Sequence, residues 1–222
     1  MPHKANPSMN PIRFPRGLYG VTPDWSDTDR LLEAIRQAHA GGMAALQWRR
    51  KQGTPAQWRA QARAVRDTCA QLGLPLIIND HWRLALEFDA DGVHLGRDDD
   101  AIGPVRQALG TGKIIGCSCY DQPALAARRL AEGADYIAFG ALYPSSVKPD
   151  AVRATLDHIR QGSQLVQAMG PPRPAVVAIG GLNAGNAAAV IEAGADAIAV
   201  ISALFEAADI AQAARRCQAL FS

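Results

Sequence analysis

No stretch of this 222-residue sequence is apolar for long enough to span a bilayer, and neither sign of charge dominates it. Lys and Arg total 23 against 21 Asp and Glu, a formal net charge of +2 with the signs interspersed. That balance excludes a broad basic face for nucleic acid or a membrane surface, so any anion site must be local. The four cysteines, Cys69, Cys117, Cys119 and Cys217, form neither a CxxC pair nor a disulfide-like framework, which points to a reducing, cytoplasmic setting. Cys117 and Cys119 are spaced to share one face of a strand, as packing residues rather than ligands. His39, His81, His94 and His158 show no ligand spacing such as HExxH, and His94 reads as a residue inside a barrel strand. Trp48, Trp58 and Trp82 read as packing. There is no P-loop, no Gly-x-Ser-x-Gly elbow and no dinucleotide fingerprint. No obvious nucleophile stands with its base in the sequence, which favours chemistry driven by leaving-group stabilisation.

What is present is ordinary globular material, 48% hydrophobic and 20% charged, enough for one large α/β domain. Residues 1–16 lack the hydrophobic segment of a signal peptide and are expected to be a disordered tail ahead of one domain over 17–222. The chain is organised around residues 76–99, LIINDHWRLALEFDADGVHLGRDD. An apolar run stops at Asn79 and Asp80, an amphipathic stretch follows, and a second run stops at Gly96 with Asp98 and Asp99 just beyond. Strand, helix, strand requires a right-handed crossover, which makes the strands parallel and brings their C-terminal ends to one side. Asp80 and Asp99 then share a rim, close enough to hold one divalent cation such as Mg²⁺. The competing use of both aspartates is to cap the helices that follow.

The same alternation extends along the whole chain. Strands are expected at 17–22, 43–47, 113–118, 136–140, 175–180 and 197–202 as well as in the central unit. Helices are expected at 54–72, 101–109, 122–132, 151–169, 184–193 and 204–220, with another built on Leu31, Leu32, Ile35 and Ala38. Thr54-Pro55 is a strong helix start. Gly41-Gly42, Ala90-Asp91, Ala134-Asp135 and Ala195-Asp196 introduce every second strand, so the chain reads as four copies of a two-strand, two-helix unit. Eight βα steps close most naturally into a (β/α)₈ TIM barrel, with an open doubly wound sheet as the alternative.

In such a barrel the chemistry sits at the C-terminal ends of the strands. Those ends carry Gln47, Arg49 and Lys51; Asn79 and Asp80; Asp98 and Asp99; Ser118; Ser145, Val147 and Lys148; Gly180 and Gly181; and Ile201 with Ser202. Arg49, Lys51 and Lys148 can neutralise a diphosphate beside the two carboxylates. The Gly180-Gly181 turn and Ile201-Ser202 are expected to present helix N-termini to a second phosphate. Two phosphorylated ligands, or one with two phosphates, would fit.

The ordered motifs GLYGVTP, ALQWRRK, LIIND, ADGVHLGRDD, IIGCSCYD, YIAFGALYPSSVKP, VVAIGGL and AGADAIAVISALF resemble the thiamine-phosphate synthase family from residue 17 onward. The resemblance implies a (β/α)₈ barrel that joins hydroxymethylpyrimidine diphosphate to a thiazole phosphate and releases diphosphate with Mg²⁺. It implies that Gln47 contacts the pyrimidine, that Arg49, Lys51, Asn79 and Lys148 hold the diphosphate, and that Asp80 and Asp99 hold the metal. Ser118 would sit beside the pyrimidine and leaving group, and Ser145, Gly181, Ile201 and Ser202 around the thiazole and its phosphate. Arg49, Lys51, Ser118 and Lys148 are the implied catalytic set. Assembly into a homo-oligomer stays open.

Two departures stand out. Where the family usually has Thr-x-Thr-Lys after the sixth strand, this chain has Ser145-Ser146-Val147-Lys148, so one hydroxyl is lost or replaced by Ser146. Arg50 stands where a Glu is usual and is expected to add positive charge. Two rival readings remain. A thiazole tautomerase would use a histidine near Tyr120, and a noncatalytic phosphate-ligand sensor is favoured only by Val147.

Overall fold

The computed structural model describes residues 11–96, 99–144 and 152–222. The eight strands are all parallel and follow sequence order around a closed barrel, with the eighth paired back onto the first. They are β1 (Gly17–Val21), β2 (Ala45–Trp48), β3 (Leu76–Asn79), β4 (Gly92–Leu95), β5 (Ile114–Tyr120), β6 (Tyr136–Phe139), β7 (Ala175–Ile179) and β8 (Ala197–Val200). The helices between them are α1 (Thr28–Ala40), α2 (Pro55–Leu72), α3 (Trp82–Glu87), α4 (Ile102–Leu109), α5 (Pro123–Ala131), α6 (Leu156–Gln167) and α7 (Ala188–Glu192). After β8 come α8 (Ser202–Phe205) and α9 (Ile210–Gln218).

Strand side chains alternate between two cores. Leu18, Leu46, Trp48, Ile78, Val93, Leu95, Cys117 and Cys119 point outward against the helices. Tyr19, Val21, Ile77, Tyr136, Ala138, Val177 and Ala199 point inward and fill the barrel. Gln47, Asn79, His94 and Ser118 share the inward parity, which carries polar groups up to the open end. Gly116 makes this packing possible, because a Cβ there would overlap the Tyr136 ring.

The Ala-Asp repeat has a physical use. Asp91 accepts the Leu76 N–H at 2.8 Å, Asp135 accepts Ile115 N–H at 2.9 Å, and Asp196 accepts Val176 N–H at 2.9 Å. Each aspartate before an even strand therefore ties down the first residues of the odd strand beside it, at the closed end. Asp196 also holds Arg173 through bonds of 2.7 and 2.8 Å.

Several boundaries differ from the sequence reading. Residues ahead of Gly17 already belong to the fold: Ile12 bridges to Arg173, and Phe14, 1% exposed, packs against Tyr19 and Tyr136 under the barrel. The tail expected through residue 16 is thus a plug from residue 12, driven by burial of one aromatic ring. β5 runs on to Tyr120 through a register shift after Ser118. α6 starts at Leu156 rather than 151, because Ala141 pairs with Val152 and Ala154 through bonds of 3.2 and 3.0 Å. The last helix is broken, since Asp209 accepts the Gln212 N–H and starts a new one. The Thr54 start holds, with a capping box in which Thr54 and Gln57 bond reciprocally.

Candidate active site

The open end of the barrel encloses a cavity of about 530 Å³. Gln47, Arg49, Lys51, Asn79, Asp80, Asp99, Ser118 and Ile201 all line it, so side chains from five strand ends and loops meet as the rim argument requires. Gly181, Ile201 and Ser202 line a smaller cavity of about 170 Å³ next to it, where Ile179, Gly180 and Ala199 border both. Asp98, Ser145, Val147 and Lys148 lie outside the described residues.

The loop after β2 is set by the loop after β1. Thr22 Oγ1 accepts the Arg49 N–H at 2.8 Å and donates to the Arg49 carbonyl at 3.2 Å. Asp24 accepts the Lys51 N–H at 3.2 Å. These bonds fix the backbone from which Arg49 and Lys51 reach the cavity. Arg50 does not join them: it is 8% exposed and its Nε donates to the Gln52 carbonyl, so its charge is tucked under the loop rather than added to the rim.

The carboxylates converge over Gly96. A Cβ on that glycine would stand 3.1 Å from Asp99 Oδ2 and 4.0 Å from Asp80 Oδ1. Gly96 N–H donates to Asp99, and Asp80 N–H extends the β3–β4 ladder by donating to the His94 carbonyl at 2.9 Å. Asp80 takes φ 60°, a left-handed conformation that aims its side chain back over the mouth. Neither aspartate caps a helix, since α3 begins after His81 and α4 after Ala101. Burial raises the Asp99 carboxyl above its ordinary value, the Gly96 N–H opposes this, and the neighbouring Asp80 raises it further. Two carboxylates held side by side are a donor set that a hard divalent cation would relieve, with phosphate and water supplying further oxygens. No cluster of three or more carboxylate, imidazole or thiol groups suited to a metal exists among the described residues, where the candidate set is Asp80 and Asp99.

The Gly180-Gly181 turn departs from expectation. Both residues have positive φ, 103° and 62°, but α7 starts only at Ala188, so they form a loop and not a helix N-terminus. Side chains added there would strike Ala141 or the Pro144 carbonyl, which explains the glycines by close backbone approach.

The family model for thiamine monophosphate synthase matches residues 18–204. The thiamine-phosphate synthase of Bordetella pertussis is 53% identical over 214 residues, 96% of this chain and 99% of its own. The chain belongs to the thiamine monophosphate synthase family. The family is enzymatic. The thiamine-phosphate synthase of Methylobacillus flagellatus is 50% identical over 215 residues, 97% of this chain and 98% of its own. The solved thiamine phosphate pyrophosphorylase from Pyrococcus furiosus superposes with a TM-score of 0.78 at 31% identity, covering 92% of this chain and 94% of that one.

In this member of the thiamine monophosphate synthase family, the site contains groups that sequence reasoning left without a role. Tyr19, His94 and Tyr120 line the large cavity, and Tyr136 lies directly beneath. Burial raises the Tyr19 and Tyr136 hydroxyls far above the ordinary phenol value, so both stay protonated donors. Period-two alternation in GLYGVTP and YIAFG was the available signal, since it puts Tyr19 and Tyr136 on the inward face. Among the described residues no helix is long and apolar enough to cross a membrane.

Proposed function

We propose that the chain couples 4-amino-2-methyl-5-hydroxymethylpyrimidine diphosphate to 4-methyl-5-(2-phosphoethyl)thiazole, giving thiamine phosphate and diphosphate. The carrying observation is that Arg49, Lys51, Asp80 and Asp99 meet at the mouth of the same cavity whose floor holds Gln47 and Ser118. Cations and paired carboxylates suit a metal–diphosphate leaving group, and the polar, ring-lined floor suits a flat heteroaromatic. The adjoining small cavity beside Gly181 and Ser202 suits the second phosphate.

Gln47 and Ser118 orient the pyrimidine. Arg49, Lys51 and Asn79, with Lys148, gather the charge that develops on the diphosphate as the carbon–oxygen bond breaks and its electron pair leaves with oxygen. Asp80 and Asp99 hold Mg²⁺, which when bound neutralises part of the diphosphate charge. The amino-substituted ring delocalises the methylene cation left behind. Ser145, Gly181, Ile201 and Ser202 hold the thiazole phosphate so that the ring nitrogen faces that carbon, and its lone pair forms the new carbon–nitrogen bond. Neither the bond cleavage nor the bond formation needs a proton transfer. Positioning of the two substrates supplies the rest.

The test is to give purified protein both substrates and follow diphosphate and thiamine phosphate with and without Mg²⁺. Metal-dependent, equal formation of both is expected. Binding of the pyrimidine diphosphate with no diphosphate released would overturn the reading in favour of a sensor.

A further inference from the structure

Five side chains from five strands run across the barrel in one hydrogen-bonded line. Gln47 Nε2 of β2 donates to Tyr19 Oη of β1 at 2.8 Å, and the Tyr19 and Tyr136 hydroxyls lie 2.9 Å apart. Tyr136 Oη of β6 lies 2.9 Å from His94 Nδ1 of β4, and His94 Nε2 lies 2.8 Å from Ser118 Oγ of β5. Gln47 also faces the Tyr136 hydroxyl. The first and last members, Gln47 and Ser118, both line the large cavity. The geometry is built in from below: Phe14 packs against both phenol rings, and only the bare Gly116 leaves room for that of Tyr136.

A phenol and a neutral imidazole have one proton each to donate, so the direction of one link fixes the next. With the Gln47 amide donating to Tyr19, the Tyr19 proton goes to Tyr136 and the Tyr136 proton to His94 Nδ1. The imidazole proton then sits on Nε2 and points at Ser118 Oγ, because the bond made by one ring nitrogen sets the state of the other. Ser118 is left to donate its own proton into the cavity, while Gln47 has its carbonyl oxygen left for a ligand. Running the other links backward with the amide unturned would leave the buried Tyr19 proton with no acceptor among the described residues. Turning the amide by half a revolution reverses every link together. Gln47 then offers N–H and Ser118 a lone pair.

We propose that Tyr19, Tyr136 and His94 are positioning residues that hold Gln47 and Ser118 in opposite hydrogen-bonding characters, so that the cavity selects a ring presenting a donor to one end and an acceptor to the other. An aminopyrimidine has both. A ring offering acceptors, or donors, to both ends satisfies only one of them. The inference deepens the proposed reaction and rests on it.

The test starts from turnover of the parent protein: without it the proposed reaction fails, and this inference falls with it. With turnover in hand, kcat/KM for the pyrimidine diphosphate is measured for Gln47→Ala, Ser118→Ala and the double variant. The same three are then made in a Tyr136→Phe background. Coupled ends make the double variant in the parent deviate about fivefold or more from the product of the single losses, and the deviation vanishes in Tyr136→Phe. A purely structural role for Tyr136 would lower every rate by a common factor and leave the coupling intact. Additive losses in the parent, or coupling that survives in Tyr136→Phe, would overturn the proposal while leaving the reaction standing. His94→Phe cuts the line at its link to Ser118 and carries the test if near-UV circular dichroism shows Tyr136→Phe misfolded.

Discussion

Lys51 Nζ stands 3.3 Å from Asp80 Oδ2, with the lysine side chain 53% exposed and the aspartate 25%. A pair this wet contributes about 0–1 kcal/mol to folding, so its placement serves something other than stability. Diphosphate with a divalent cation offers each half of the pair a stronger partner: phosphate oxygen for the ammonium, metal for the carboxylate.

Lys51→Ala and Asp80→Ala are therefore expected to leave the unfolding free energy within about 1 kcal/mol of the parent. Turnover should fall about 100-fold or more, the usual scale for removing one group that stabilises developing charge. Urea denaturation and a diphosphate-release assay on the same preparations check both halves. Near-normal turnover in both variants would remove them from the diphosphate site.

The Asp99 carboxyl gives a pH prediction. Burial, with Asp80 alongside, raises its pKa above the ordinary 3.8. The folded chain then holds this proton more tightly than the unfolded chain, so stability falls as pH climbs from about 3.8 through the raised value. In metal-free buffer at neutral pH, Asp99→Asn should be more stable than the parent, with the gap closing in acid. Added Mg²⁺ should stabilise the parent and not the variant, because only the parent offers both carboxylates. Urea midpoints from pH 3 to 8, in EDTA and in Mg²⁺, test this; equal midpoints throughout would count against it.

The rim was legible because a parallel barrel turns position at a strand's end into position at one mouth. Gln47, Asn79, Asp80 and Ser118 needed no more than strand counting. The Ala-Asp repeat was visible too, although its use, the bond from Asp91, Asp135 or Asp196 to a neighbouring strand, involves partners 15 or 20 residues away. Alternation shows that Tyr19, His94 and Tyr136 face inward, but not which meets which across 42 or 117 residues. α6 starts at Leu156 instead of the expected 151 for a related reason: the backbone of Ala141 captures residues 152–154 by tertiary pairing that no local pattern carries. Phe14 lies between two prolines, in a stretch with neither strand nor helix periodicity to mark it as buried.

That phenylalanine should matter to stability. Its ring centroid lies 4.8 Å from Tyr19 and 4.5 Å from Tyr136, and it is 1% exposed. Phe14→Ala is expected to cost about 3–5 kcal/mol, the range for emptying a buried aromatic site. Because the two phenols beside it belong to the line joining Gln47 to Ser118, kcat/KM for the pyrimidine diphosphate should fall as well. A urea midpoint unchanged from the parent would mean that the ring does not seal the barrel floor.

All four cysteines are buried, and none forms a disulfide. Burial pushes the Cys69, Cys117 and Cys119 thiols up to about 12. The nucleophile is the thiolate, so at pH 8 its population at these sites is about 10⁻⁴ of the total, and access is closed as well. Native protein is expected to react with a disulfide reagent at a small fraction of the rate of a free thiol, and unfolded protein to release the full complement. Cys117 and Cys119 flank Ser118 yet point into the helix layer, away from the cavity. Saturating both substrates should therefore leave the labelling rate of the native protein unchanged except through overall stabilisation. A substrate-protected fast thiol would place a cysteine in the site and contradict the inward–outward alternation of β5.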